Sequence, residues 1–197
     1  MKKFSFILLG MVLLMLTACG PSAPQFRGTV LEPAEPAFDF TLIDEQGQPF
    51  TLSEQKGQVV VLFFGFTMCP DICPAALADL SAVSRELGAD AEAIQVALVS
   101  LDPERDTSER LQQYVTAFDP RFKGLRGDEA TLAPILKSYG VFSEQRELPN
   151  SAMGYTIDHS GFIYAIDKAG NWRILFAHGT PVEDITADLR LLAREGG

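Results

Sequence analysis

Two cysteines, Cys69 and Cys73, are four positions apart at the end of an apolar run that covers residues 59–66. Four positions are about one turn of a helix, so both sulfur atoms can approach the same point where a helix begins. Two thiolates that meet in this way can bind a soft metal ion or close a disulfide. A disulfide this short would close a very small loop, so a purely stabilising bridge is the weaker alternative.

The chain contains two histidines that could add a nitrogen ligand to this pair, His159 and His178. His159 follows Asp158 in a turn-rich segment before a predicted hairpin strand, so it is the candidate third ligand. Asp158 or a backbone carbonyl would orient its ring. Two thiolates and one imidazole suit copper(I), whereas structural zinc usually requires four ligands. Spacing alone leaves open that His159 is an ordinary surface or core histidine.

Hydrophobic periodicity predicts the elements that position these residues. The order is strand, helix, strand, helix, a further helix, a hairpin and a last helix, which predicts an α/β thioredoxin-like sandwich with an N-terminal β-hairpin and a helical insertion. Functional sites in such sheets lie beyond the carboxyl ends of the parallel strands. Cys69, Cys73 and the loop of Asp102 would lie there. The predicted strands are 38–42, 49–52, 59–66, 93–101, 155–167 and 172–177, and the predicted helices are 75–87, 107–118 (with Asp106 and Glu109 as a capping pair), 128–139 and 181–195.

The N-terminus has the pattern of a bacterial lipoprotein leader. Two lysines precede the apolar residues 4–15, a run that is shorter than the roughly 20 residues of a membrane span. The tetrapeptide LTAC then ends at Cys19, which we expect to be cleaved and lipidated; the alternative is an ordinary secretory signal. The predicted organisation is a signal peptide (1–18), a lipidated tether (19–36) and one domain (37–197). The protein would then be exported and anchored in a membrane, facing the periplasm or the cell exterior.

The composition limits the classes of function. With 47% hydrophobic residues in 197, the chain can bury one sizeable core. Its formal net charge of −10 repels phosphate backbones, which argues against nucleic-acid binding. In an exported protein, a reduced cysteine pair would need a dedicated reductant.

Four segments together resemble a known family. The run FGFTMCPDICP at 64–74 resembles the signature of the SCO/SenC copper chaperones, and three further segments occur in the family's order. They are SLDPERDT (100–107), DPRFKGL (119–125) and DHS (158–160). The resemblance covers roughly residues 36–192.

The resemblance implies a thioredoxin-like fold that binds copper through Cys69, Cys73 and His159. It implies a role in cytochrome c oxidase assembly, either delivering copper to subunit II or reducing the cysteines of its dinuclear copper site. Other partners would be a periplasmic copper chaperone or a thiol reductant. Asp102 would support the site or face a partner, although shaping its own turn explains it equally well. Many members have a transmembrane anchor, which the lipid at Cys19 would replace.

Two enzyme classes use similar cysteines. A thiol–disulfide oxidoreductase, with Cys69 and Cys73 as catalytic residues, is the retained alternative, although its usual motif has two intervening residues rather than three. It would also carry a proline facing the cysteines, where this chain has Asp158-His159-Ser160. Peroxiredoxins require a threonine and a proline at the positions of Phe66 and Leu62, so their signature is absent. The sequence therefore predicts a copper metallochaperone.

Overall fold

A computed structural model of the protein describes residues 25–196. The predicted signal peptide and the predicted lipid attachment at Cys19 lie outside this part of the chain. No helix in the described part is long and apolar enough to cross a bilayer.

The core is a six-stranded mixed sheet. Its central strand, β4 (Val59–Gly65), is buried along its whole length, because all of its residues are apolar or glycine and both of its faces are covered. In spatial order the strands are β1 (Thr29–Pro36), β10 (Asn171–Phe176), β9 (Ile163–Ile166), β4 (Val59–Gly65), β5 (Ile94–Ser100) and β6 (Lys123–Leu125). The strands β4, β5 and β6 run parallel, whereas β9 runs antiparallel to β4.

Four helices pack around this sheet, as the apolar spacing predicts. They are α1 (Ile72–Leu87), α2 (Ser108–Thr116), α3 (Glu129–Ser138) and α4 (Val182–Arg194). The helices α1 and α4 pack against each other. The N-cap of α2 is Thr107, whose side chain accepts from the amide of Arg110. The predicted capping role of Asp106 is wrong, because its carboxylate turns into the interior.

The structure corrects the predicted tether at its C-terminal end. Thr29–Pro36 form β1, an edge strand that pairs with β10. The proline-rich composition suggested a linker, but an edge strand tolerates proline because one side makes no ladder hydrogen bonds. The fully buried carboxylate of Asp188 also accepts hydrogen bonds from the amides of Arg27 and Gly28. The folded part therefore begins about ten residues earlier than predicted.

The predicted N-terminal hairpin is present as β2 (Thr41–Ile43) and β3 (Pro49–Thr51). The predicted strand at 155–167 is instead two strands, β8 (Tyr155–His159) and β9. The strand β8 pairs antiparallel with β7 (Ser143–Glu147) outside the central sheet. The sequence did not reveal β7, because all five of its residues are polar or charged and most are exposed. We call these two strands and their connection the β7–β8 hairpin.

Candidate metal centre

Both cysteines lie where β4 ends and α1 begins, as predicted. Cys73 is in the first turn of α1 and is fully buried, whereas Cys69 lies in the preceding loop and is half-buried. A side chain at Gly65 would place its Cβ 2.7 Å from the sulfur of Cys73. Gly65 therefore allows the sulfur to approach the carboxyl end of the central strand.

The structure brings His159 to this pair. The sulfur atoms of Cys69 and Cys73 and a ring nitrogen of His159 all lie within 4.8 Å of one another. Metal–sulfur bonds are about 2.3 Å long, so three ligands arranged trigonally around one ion lie about 4 Å apart. We call this group the Cys69–Cys73–His159 triad. Among residues 25–196 it is the one such group of three or more histidine, cysteine, aspartate or glutamate residues.

The ring of His159 is oriented by a backbone carbonyl. Its Nδ1 is 2.9 Å from the carbonyl oxygen of Ser160, which can only accept, so Nδ1 carries the proton. The lone pair of Nε2 therefore points to the sulfur of Cys73, 3.3 Å away. The rings of Phe63 and Phe66 pack edge-on against the imidazole. His159 is thus held in the tautomer that a metal ligand requires.

Asp158, the other residue predicted to orient the ring of His159, does not form a hydrogen bond with that ring. Successive side chains of a strand point to opposite faces, so Asp158 points away from the ring of His159. Its carboxylate accepts hydrogen bonds from Arg146 on the neighbouring strand, and about half of its side chain is exposed. Of the two predicted ways to orient His159, the structure shows the backbone carbonyl.

The two thiols have opposite acidities. The pKa of Cys69 is lowered to about 4, first because the thiol of Cys73 donates a hydrogen bond to its thiolate. Further hydrogen bonds to this thiolate come from the backbone amides of Asp71 and Cys73. The neighbouring Cys69 thiolate and burial both raise the pKa of Cys73. The metal-free site therefore holds one thiolate and one thiol, and the second proton leaves when a metal binds.

This difference predicts selective alkylation of the reduced, metal-free protein. Cys69 is expected to react with iodoacetamide at nearly the same rate at pH 6 and pH 8, since it is already a thiolate at both. The alkylation rate of an ordinary thiol with a pKa near 8.5 would rise roughly 80-fold over that range. Peptide mass mapping gives the rate at each cysteine, with the denatured protein as the control. A rate at Cys69 that rises as steeply as in the denatured chain would contradict the lowered pKa.

Comparison with known proteins identifies the family. The sequence model of the SCO1/SenC family matches residues 29–194. The chain belongs to the SCO1/SenC family. A SCO2-like protein of Rickettsia prowazekii is 36% identical over 133 residues, which are 68% of this chain and 65% of that protein. The match thus spans slightly less than two thirds of that relative.

Two solved structures resemble this SCO1/SenC chain closely. Bradyrhizobium japonicum ScoI, solved with copper bound, is 35% identical with a TM-score of 0.73, and the match covers 80% of this chain and 99% of that one. The apo Sco1 protein of Thermus thermophilus is 36% identical with a TM-score of 0.75, covering 85% and 97%. These neighbours confirm the thioredoxin-like fold.

Asp102 is not part of the triad in this SCO1/SenC chain. Its side chain is 2% exposed, so its carboxylate is directed into the protein. Its carboxylate accepts hydrogen bonds from the side chains of Arg105 and Tyr155. Its backbone carbonyl accepts from the amides of Arg105 and Asp106, which is the turn-shaping role. Asp102 therefore organises the loop after β5.

The sequence reasoning missed the role of Asp106. This carboxylate is fully buried and accepts from the hydroxyl and amide of Thr67 and from the hydroxyl of Ser100. It therefore ties the loop that carries Cys69 to the end of β5. Burial raises the pKa of Asp106 despite these donors. Its position just before a helix predicted a capping role. Its role in linking the Cys69 loop to β5 is visible only in the tertiary contacts.

Asp106→Ala is expected to destabilise this SCO1/SenC protein by about 2 kcal/mol or more. The change leaves the donors of Thr67 and Ser100 without their acceptor, and each unsatisfied buried group costs about 1–3 kcal/mol. Urea unfolding of the metal-free protein measures the difference. Asp128→Ala is the matched control, because it removes an exposed helix cap and costs about 1 kcal/mol. Equal losses in the two variants would contradict a special role for Asp106.

Proposed function

We propose that this protein binds copper through Cys69, Cys73 and His159 and delivers it to the dinuclear copper site of cytochrome c oxidase subunit II. The convergence of two thiols and one imidazole within 4.8 Å carries this proposal. Soft thiolates with an imidazole select copper over the harder cations. The copper-bound structure of the Bradyrhizobium relative supports it, since that protein shares both fold and family.

The unequal burial of the ligands suits transfer rather than permanent retention. Cys73 is enclosed, while Cys69 and His159 are half-buried and can reach an incoming acceptor. Copper can pass to an acceptor protein by stepwise ligand exchange, in which an acceptor thiolate replaces Cys69 before Cys73 and His159 release the ion. The buried thiolate of Cys73 keeps the ion bound during the exchange.

A second function is favoured by the acidity of Cys69, namely reduction of a partner disulfide. The Cys69 thiolate would attack a disulfide sulfur, form a mixed disulfide and release one partner thiolate. Cys73, after losing its proton, would then attack the sulfur of Cys69, which closes the Cys69–Cys73 disulfide and releases the second partner thiol. An exported dithiol reductant would regenerate the pair.

Two parallel anaerobic reactions separate the two functions. In the first, the copper(I)-loaded protein is mixed with the metal-free soluble domain of subunit II whose cysteines are reduced. In the second, the reduced, metal-free protein is mixed with the same domain after its cysteines have been oxidised. Delivery predicts that copper moves to the reduced acceptor while the donor thiols stay reduced. Reductase activity predicts that the metal-free protein gains a disulfide as the oxidised acceptor loses one. Failure of both reactions would contradict a direct role at subunit II.

We further propose that the mature protein is anchored by lipid at Cys19 and faces the periplasm or cell exterior. The support is the LTAC motif after a basic and apolar leader. Intact mass of the protein from membranes should show cleavage before Cys19 and a diacylglyceryl addition. A mass equal to simple cleavage, or to the uncleaved chain, would contradict the anchor without affecting the copper site.

A further inference from the structure

The third ligand of the triad is carried by an element outside the central sheet. The cysteines follow β4, whereas His159 is the last residue of β8, and β8 pairs only with β7 among the described strands. The distance between His159 and the cysteines therefore depends both on the short connection 160–162 to β9 and on how the β7–β8 hairpin is attached to the rest of the fold. Ile157 of β8 packs in the hydrophobic core, and Arg105 makes polar contacts at the first residue of the strand.

Arg105 contacts the beginning of β8 in three ways. Its Nη1 donates hydrogen bonds to the carbonyl oxygens of Met153 and Tyr155, each at 3.0 Å. Its guanidinium carbon lies 3.5 Å from the centre of the Tyr155 ring. Its Nε donates to Asp102, whose other carboxylate oxygen accepts from the Tyr155 hydroxyl at 2.8 Å. The side chain is only 16% exposed, so these contacts are shielded from water.

The same guanidinium is linked to the imidazole of the triad. Its central carbon lies 5.9 Å from the ring of Phe66, and that ring packs edge-on against His159 with centroids 5.7 Å apart. The two ends of β8, Tyr155 and His159, belong to one continuous ladder with β7. A displacement at the Tyr155 end is therefore passed along the paired strands to His159.

From these contacts we infer that Arg105 is a positioning residue that holds His159 at the cysteine pair by fixing the β7–β8 hairpin. The inference rests on the proposed copper site and deepens it. Arg105 sets how strongly the imidazole takes part, and so how well the site holds copper(II), which depends more on nitrogen ligands than copper(I) does. A lysine cannot replace it fully, because one ammonium lacks the planar fork that reaches the carboxylate and both carbonyls together.

Copper binding by the full mature protein tests the inference. Arg105→Gln is expected to weaken copper(II) binding by about 10–100-fold, the usual effect of losing a group that orients a metal ligand. Copper(I) affinity should change much less, because both thiolates remain. Electron paramagnetic resonance of the copper(II) form should show weaker coupling to an imidazole nitrogen. Arg105→Lys should give an intermediate loss of copper(II) affinity. This variant provides the test if Arg105→Gln does not fold.

Two controls separate positioning from general damage. Arg146→Gln removes a cation from the same hairpin, but the Arg146 side chain is exposed, and within residues 25–196 it donates only to the carboxylate of Asp158, so copper binding should be unchanged. In a His159→Ala background, Arg105→Gln should cause no further loss of the weak residual copper(II) affinity, because the residue acts through that imidazole.

Three results would overturn the inference while leaving the proposed function intact. They are unchanged copper(II) affinity in folded Arg105 variants, equal losses in the Arg105 and Arg146 variants, and additive losses with His159→Ala. If the unaltered protein binds no copper, the proposed function itself fails, so the two failures are distinguishable.

Discussion

Cys73→Ala is expected to lower the copper(I) affinity by at least about two orders of magnitude. Structural metal sites with four ligands bind with about 10–16 kcal/mol, so each ligand accounts for roughly 3 kcal/mol. Cys73 is the ligand that the protein holds most firmly, because its sulfur is fully buried against Gly65 and lies 3.3 Å from the imidazole. Competition with a chromogenic copper(I) chelator under anaerobic conditions measures the loss.

Met68→Ala provides a matched control for this variant. Met68 is a sulfur-containing neighbour of Cys69 that packs against the core, but it does not belong to the triad. Its removal should leave copper(I) affinity nearly unchanged. If the methionine variant loses as much affinity as Cys73→Ala, the ligand set differs from the one proposed here.

His159→Ala is expected to abolish tight copper(II) binding while it weakens copper(I) binding less. Copper(II) prefers nitrogen-containing ligand sets, whereas copper(I) is satisfied largely by two thiolates. Oxidation of the Cys69–Cys73 pair to a disulfide should remain possible, because both sulfurs are still present. Titration with each copper oxidation state and a thiol count after mild oxidation measure the three properties.

The other histidine is the natural comparison for this variant. His178 is exposed, and its Cβ lies beside Gly161 rather than at the triad. His178→Ala should therefore bind both forms of copper like the unaltered protein. Unchanged copper(II) affinity in His159→Ala would remove His159 from the proposed ligands, and a loss confined to His178→Ala would assign the nitrogen ligand to that residue.

Local patterns predicted the elements that carry the cysteines. The apolar run before Cys69 forms β4, because it is a continuous apolar stretch of strand length that is buried on both faces. The residues after Cys73 form α1, because their apolar positions repeat with the period of a helix. The strand β7 and the inclusion of Thr29–Pro36 in the sheet were not predictable in this way. Both are edge strands whose exposed residues carry no apolar alternation.

The sequence by itself determined that two thiols meet at one end of a buried strand, since they are one helical turn apart and follow a run that can only be interior. Tertiary structure alone decided the rest of the centre. His159 reaches the thiols across a separation of 86 residues, Arg105 meets the hairpin across about 50, and Asp106 reaches the cysteine loop across 39. Such contacts depend on how whole elements pack, and no local spacing encodes the distance between atoms on different elements.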